Sequence, residues 1–96
     1  MPIELVSISG KRFYFSNHQW EETLLLAKEY GWMPLDAPAE PWERYYFSSD
    51  GYAISARDAE ALAAALRLAC RAVPSNEQAY LRQFIAFCQS GEFRVE

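Results

Sequence analysis

Few residues of this chain combine a reactive side chain with a neighbour that could activate it. His18 is the single histidine, and histidine is the side chain that changes charge near neutral pH without perturbation. Glu21 and Glu22 lie close by, but adjacent helical positions point about 100° apart, so this pair is poorly placed to share acid–base work. The chain contains no Gly-x-Ser-x-Gly motif that would present a nucleophile. The pattern favours a surface histidine at a helix start, and we expect no enzyme.

The residues that bind metals and phosphates are also not arranged for those tasks. One histidine and two cysteines, Cys70 and Cys88, offer no zinc-ligand spacing. Both cysteines lie in apolar helical patterns, so we expect two reduced core thiols, with a disulfide between facing helices as the alternative. The four glycines stand singly and form no phosphate cradle. The sequence therefore predicts neither a metal nor a cofactor.

Acidic and aromatic residues are concentrated between positions 17 and 43. This segment carries six acids and one base, a net charge of −5, against −4 for the whole chain. Large rings surrounded by carboxylates are typical of surfaces that bind a basic protein partner. The alternative is that the acids form an ordinary solvated face and the tryptophans belong to the core. The predicted partner-binding residues are Glu29, Trp32, Asp36, Glu40, Trp42 and Glu43.

Length and composition predict one globular domain. The 96 residues are 51% apolar and 16% aromatic, which excludes a disordered chain, a collagen-like repeat and a coiled coil. A chain of this size has room for one core, so 1–96 is expected to be a single domain. The acidic balance argues against nucleic acid. The absence of a long apolar run and of a leader predicts no membrane association and a cytoplasmic location.

Two pairs of short β-prone runs predict hairpins. The first pair, 3–9 and 12–15, is separated by a turn that contains glycine. The second pair, 45–47 and 52–54, flanks an Asp-Gly dipeptide at 50–51, which is a strong hairpin signal.

The first helix has the clearest boundaries. Ser16 and Gln19 form a capping-box pattern, although Asn17 is an alternative cap. Helical spacing of apolar residues then predicts a helix over 17–30, and Gly31 supplies its left-handed stop.

Two further helices follow the second hairpin. Ser55 with Asp58, and Ser75 with Gln78, repeat the capping pattern, and Pro74 ends the first of the two helices. That helix is apolar on most of its surface, so we expect it to be buried on two sides or to close against another subunit. Its second apolar face consists of Ala61, Ala64, Ala65, Leu68 and Ala72.

The element order is then ββαββααβ, with 93–95 as a closing strand. This order predicts an α+β domain with a mostly antiparallel sheet of about five strands and three helices. The segment 32–43 contains three prolines together with large apolar residues, which indicates a long ordered loop.

Four stretches of the chain carry a resemblance to known sequences. They are Trp20-x3-Leu24-Leu25-x-Ala27-Lys28-Glu29-Tyr30-Gly31-Trp32-x-Pro34, Tyr46-x-Ser48-x-Asp50-Gly51, Asp58-Ala59-x2-Leu62-Ala63-x-Ala65-Leu66, and Phe84-Ile85-x-Phe87-Cys88-x2-Gly91-x-Phe93-Arg94-Val95. In these stretches the chain resembles a group of small bacterial proteins without an assigned activity. The shared residues mark helix ends, turns and core faces. The resemblance therefore implies a single bacterial cytoplasmic domain and transfers neither a catalytic residue nor a partner.

These observations favour recognition over catalysis. The leading hypothesis is a non-catalytic protein–protein binding module, with an immunity or antitoxin-type inhibitor of a basic bacterial toxin as its sharpest form. One alternative is a homodimer that closes over the alanine-rich face of the second helix. Another is a small-molecule binder that uses an aromatic cleft under the loop 32–44.

Overall fold

A four-stranded antiparallel sheet shares one core with three long helices. A computed structural model describes residues 2–48 and 50–96 of this chain. The elements are β1 (Pro2–Ser7), β2 (Arg12–Ser16), α1 (Asn17–Glu29), α2 (Glu43–Tyr46), β3 (Ala53–Ile54), α3 (Ala56–Ala69) with a 3₁₀ turn (Cys70–Ala72), α4 (Ser75–Gln89) and β4 (Phe93–Val95). Within the described residues the strands lie in the order β2-β1-β4-β3, and every pair is antiparallel. The predicted α+β class is confirmed, with four strands in place of about five.

The first predicted hairpin forms, with β1 and β2 paired antiparallel. Pro2 pairs with Ser16, and Val6 pairs with Arg12. The side chains of β1 alternate between buried and partly exposed, because successive residues of a strand point to opposite faces. This hairpin carries the chain directly into α1.

The predicted start of α1 is confirmed in atomic detail. The Ser16 hydroxyl accepts the Gln19 backbone N–H at 3.1 Å, and the Gln19 side chain accepts the Ser16 N–H at 3.3 Å. The rings of Phe15 and Trp20 lie 5.5 Å apart, at the positions of a hydrophobic staple. Ser16 is therefore the cap, and Asn17 is the first residue of the helix.

Gly31 ends α1 and turns the chain toward the core. Its φ of 97° is a left-handed conformation that glycine adopts without a steric penalty. The Gly31 N–H donates to the Lys28 carbonyl at 3.1 Å, and the Trp32 N–H donates to the Ala27 carbonyl at 2.9 Å. This is the Schellman arrangement, and it brings Trp32 into the interior.

The second predicted hairpin is wrong. Most of the run 45–47 lies in the short helix α2, and β3 pairs with β4 instead. The helical turn is stabilised by tertiary contacts, because Tyr46 is fully buried and its carbonyl accepts the Trp20 Nε1–H at 2.6 Å. Gly51 adopts the expected positive φ of 86°, but it supports a loop rather than a two-strand turn, and the predicted turn residue Ser49 lies outside the described residues.

The two later capping boxes are also corrected. Ser55 caps α3, accepting the Asp58 N–H at 3.2 Å, but the Asp58 carboxylate is engaged elsewhere. Ser75 is the first residue of α4, which has no side-chain cap, and Gln78 donates to the Val73 carbonyl at 2.9 Å. A capping pattern identifies where a helix starts, but it does not fix which partner each side chain selects.

The core lies between the sheet and helices α1, α3 and α4. Trp20, Phe84 and Phe93 are among its largest fully buried side chains. Cys70 and Cys88 are both free and buried, as predicted, and burial raises the pKa of the Cys88 thiol. Among the helices described, none has the length and apolar character needed to cross a membrane.

Candidate functional site

The two tryptophans predicted as partner anchors are buried in this structure. Trp32 is 3% exposed and Trp42 is 7% exposed. Their ring centroids lie 5.0 Å apart in an edge-to-face arrangement, and Trp32 Nε1 donates to the Asp58 carbonyl at 3.0 Å. The rings pack beneath the loop 32–42, as the alternative interpretation of the sequence expected. The two rings contact one another within the core, and a ligand-binding cleft under this loop stays a prediction.

Two of the four predicted partner-binding acids are engaged in ion pairs within the domain. The Arg57 guanidinium contacts both carboxylate oxygens of Asp36, at 2.5 and 2.7 Å, and the Ser55 hydroxyl donates to the same carboxylate at 2.6 Å. These hydrogen bonds, first from Arg57 and then from Ser55, lower the pKa of Asp36 from 3.8 to about 2. Lys28 donates to Glu43 at 2.9 Å and lowers the pKa of that carboxyl. Both pairs attach the loop and α2 to neighbouring helices.

The other two predicted acids remain on the surface. Glu29 is exposed at the end of α1, and Glu40 is exposed in the loop. Neither makes an ion pair with any described residue. The predicted set of six is therefore divided between core rings, internal ion pairs and two solvated carboxylates.

The loop is held by a buried carboxylate that the sequence pattern did not reveal. Asp58 is 1% exposed, and its two oxygens accept the backbone N–H groups of Leu35 and Asp36, each at 2.8 Å. A buried charge is tolerated when hydrogen bonds satisfy it in this way. Asp58 lies three positions after Ser55, as a capping box requires, so the sequence pattern predicts a helix cap. It does not reveal that the Asp58 carboxylate binds the backbone of the loop.

A cleft between α1 and α4, which we name the acidic cleft, has the composition of a binding site. Its volume is about 260 Å³. Apolar side chains, including Phe15, Leu26 and Leu81, lie beside polar ones that include Glu22, Glu77 and Tyr80. No lysine or arginine lines it among the described residues. The cleft therefore combines an apolar lining with two negative charges.

The chemistry of the acidic cleft suits a cationic group that has an apolar stem. Neither Glu22 nor Glu77 pairs with a lysine or arginine of the described chain, although Glu22 contacts His18 Nε2 at 2.8 Å. Phe15 and Tyr80 lie edge to face at 5.4 Å, and the Tyr80 hydroxyl donates to the Tyr14 carbonyl, which fixes the ring. Carboxylates and aromatic rings both attract cations, while methylene groups pack on apolar surface. The volume lies just below the roughly 300 Å³ at which pockets for drug-sized ligands begin, so it matches one long side chain or a small amine.

His18 and the other potential metal ligands form no cluster of the required kind. His18 has a side chain that is 82% exposed, in agreement with its prediction as a surface residue. Across 2–48 and 50–96, no three of the histidine, cysteine, aspartate and glutamate side chains come together as a metal site would require.

The second apolar face of α3 is only partly buried. Ala65 packs inward, whereas Ala61, Ala64, Leu68 and Ala72 are exposed. Leu68 is 66% exposed. Of the two alternatives that the sequence left open for this helix, burial on two sides does not occur in the single chain, and closure against another subunit stays a prediction.

Sequence reasoning missed the acidic cleft because its two carboxylates are 55 positions apart. Glu22 belongs to α1 and Glu77 to α4, so their proximity depends on how the two helices pack. The packing of α1 beside the start of α4 brings them to one cleft, and no local pattern reports that packing. Comparison with known proteins identifies no matching family model, no similar curated protein and no similar solved structure.

Proposed function

We propose that this protein is a non-catalytic module that binds a basic protein, and that the acidic cleft receives a cationic side chain of that partner. The observation that supports this proposal is the joining of an apolar lining with Glu22 and Glu77 in a cleft that no described cation lines. Burial of a lysine or arginine stem there, with its charge at the carboxylates, is the arrangement of an interface hot spot. An immunity or antitoxin-type inhibitor of a basic bacterial toxin is the most specific form of this proposal.

The outward face of α1 extends the acidic surface away from the cleft. Glu22, Leu25 and Glu29 are spaced at three and four positions, so they share one side of the helix. All three are exposed. A partner lying along this face would meet two carboxylates around one apolar side chain, and Glu29 keeps the role that the sequence predicted. The net charge of −4 would steer a basic partner toward the protein at low ionic strength.

The test is affinity capture from the native host with a matched pair of variants. Glu22→Gln combined with Glu77→Gln removes both cleft charges while nearly preserving side-chain size. Glu60→Gln combined with Glu92→Gln removes the same charge at positions that do not line the cleft and form no ion pair within the described chain. We expect a basic partner to be retained by the wild type and by the control, and lost by the cleft variant.

Two results would contradict the proposal. Equal loss in both double variants would indicate a general effect of charge, and full retention by the cleft variant would remove the cleft from the interface. In either case circular dichroism must show that the variants are folded, which is expected because all four substituted side chains lie at the surface or its margin.

A homodimer through α3 is the second candidate, and the exposed Leu68 among alanines favours it. Small residues permit close approach of two helices, and a two-fold axis would pair this face with itself. Arg67 and Arg71 flank Leu68, so the same axis would also bring like charges near one another. We therefore place this function behind the binding module, and sedimentation velocity at high concentration decides between them.

A further inference from the structure

A second surface groove has the opposite charge to the acidic cleft. It lies between the end of α3 and the middle of α4, with a volume of about 530 Å³. Arg67 and Arg71 line it from one side and Arg82 from the other. Cys70 and Ile85, both buried, supply apolar surface between them. We name this feature the arginine groove.

Within residues 2–48 and 50–96, the three arginines of the groove form no ion pair. Three of the remaining four arginines of the chain each contact a carboxylate within 3.2 Å, but Arg67, Arg71 and Arg82 contact none among the described residues. Arg67 lies in the last turn of α3 and Arg71 in the 3₁₀ turn that follows, and both line the groove. An anion bound between these guanidinium groups would reduce the repulsion between their like charges.

One of these guanidinium groups is oriented by a chain of hydrogen bonds. Gln78 Nε2 donates to the Val73 carbonyl at 2.9 Å, which fixes the side-chain amide. The remaining amide oxygen of Gln78 accepts a hydrogen bond from Arg82 Nη2 at 3.4 Å. Arg82 is thereby held toward the groove with most of its N–H groups free to donate.

We propose that the arginine groove binds a small organic compound that carries two or more linked phosphate groups. Guanidinium groups bind phosphate oxygens through paired hydrogen bonds, and three positive charges match a diphosphate better than a single carboxylate. The apolar surface of Cys70 and Ile85 lies beside the charges, where the organic part of the compound would pack. This site is independent of the proposed protein partner, because it lies on other residues and selects the opposite charge.

The test is a titration of the full chain with inorganic pyrophosphate at fixed ionic strength, and NMR is used to monitor binding. We expect saturable 1:1 binding, with chemical-shift changes confined to residues of the groove. Arg82→Gln should weaken binding by at least about tenfold, since it removes a charge-assisted pair of hydrogen bonds. Arg82→Lys should recover only part of the affinity, because it restores the charge without the planar fork. Arg44→Gln is the matched control. Arg44 is also exposed and forms no ion pair with a described residue, but it lies on α2 and does not line the groove.

Three outcomes would overturn the proposal. The first is binding of pyrophosphate that does not saturate at millimolar concentration, and the second is a loss of affinity in Arg44→Gln as large as that in Arg82→Gln. A single-stranded oligonucleotide that binds more tightly than pyrophosphate and shifts the same resonances would assign the groove to nucleic acid instead. Arg82 is exposed on α4, so its variants are expected to fold, and thermal unfolding without ligand checks this directly.

Discussion

Replacement of Asp58 by asparagine tests how the proline-rich loop is held. The carboxylate accepts two backbone N–H groups of the loop, each at 2.8 Å, in a buried position. Asparagine keeps one acceptor but turns an NH₂ group toward the second N–H, which is then left without a partner. Hydrogen bonds to charged groups contribute about 1.5–3 kcal/mol each, and an unsatisfied buried donor costs about 1–3 kcal/mol.

We therefore expect Asp58→Asn to lower the free energy of unfolding by about 2–3 kcal/mol. For a domain of this size that corresponds to a fall in Tm of about 8–24 °C. Asp58→Ala removes both acceptors and should cost more. Ser55→Ala removes the α3 cap and the hydrogen bond to the Asp36 carboxylate but leaves both Asp58 acceptors in place, and it should cost about 1–2 kcal/mol.

Urea unfolding followed by tryptophan fluorescence measures these differences. The probe is well placed, because Trp32 Nε1 donates to the Asp58 carbonyl at 3.0 Å. Glu60→Gln, two positions along α3 and exposed, is the control and should stay within about 0.5 kcal/mol of wild type. An Asp58→Asn variant as stable as this control would refute the role of the carboxylate in holding the loop. Faster protease cleavage within the loop of the Asp58 variant would support it.

Three further predictions follow from the same geometry. Trp42→Ala should lower the free energy of unfolding by about 3–5 kcal/mol, because the ring fills the core. An unchanged urea midpoint would contradict this and favour the predicted partner-binding role of Trp42. The Asp36–Arg57 pair should stabilise the fold above pH 3.8 and lose this effect as the pH falls toward about 2, because the pKa of Asp36 is lowered in the folded protein. An NMR titration of the Asp36 carboxyl measures this pKa, and a midpoint near 3.8 would contradict the prediction. Leu68→Lys should leave the sedimentation coefficient of an 11.0 kDa monomer unchanged, whereas dissociation of a larger species would support the homodimer.

Local sequence signals predicted the elements whose contacts are local. The hairpin of β1 and β2 is two short β-prone runs joined by a turn that contains glycine, and the α1 boundaries are encoded within a few residues at each end. Ser16 and Gln19 contact each other, so their spacing is sufficient to identify the cap. Gly31 likewise defines its turn through its own backbone conformation.

Tertiary contacts decided the features that the sequence did not reveal. Three aromatic residues at 45–47 favour a strand by composition, but burial of Tyr46 and its carbonyl bond to Trp20 stabilise a helical turn. The acid-rich loop predicted exposed tryptophan anchors, yet Trp32 and Trp42 are buried, because rings with a large apolar surface favour the core. A buried core and a partner-binding surface are both rich in aromatic residues, so only the packing of the rings distinguishes the two.

Titration of the protein with two short peptides tests the central claim most directly. Acetyl-Gly-Arg-Gly-amide supplies a cationic side chain on an apolar stem, and the norleucine peptide of the same length supplies the stem alone. The account predicts saturable binding of the arginine peptide, NMR shifts at Glu22, Glu77 and Tyr80, weakening with added salt, and loss of binding in the Glu22→Gln, Glu77→Gln variant. Equal binding of both peptides, or shifts that lie away from the acidic cleft, would contradict it.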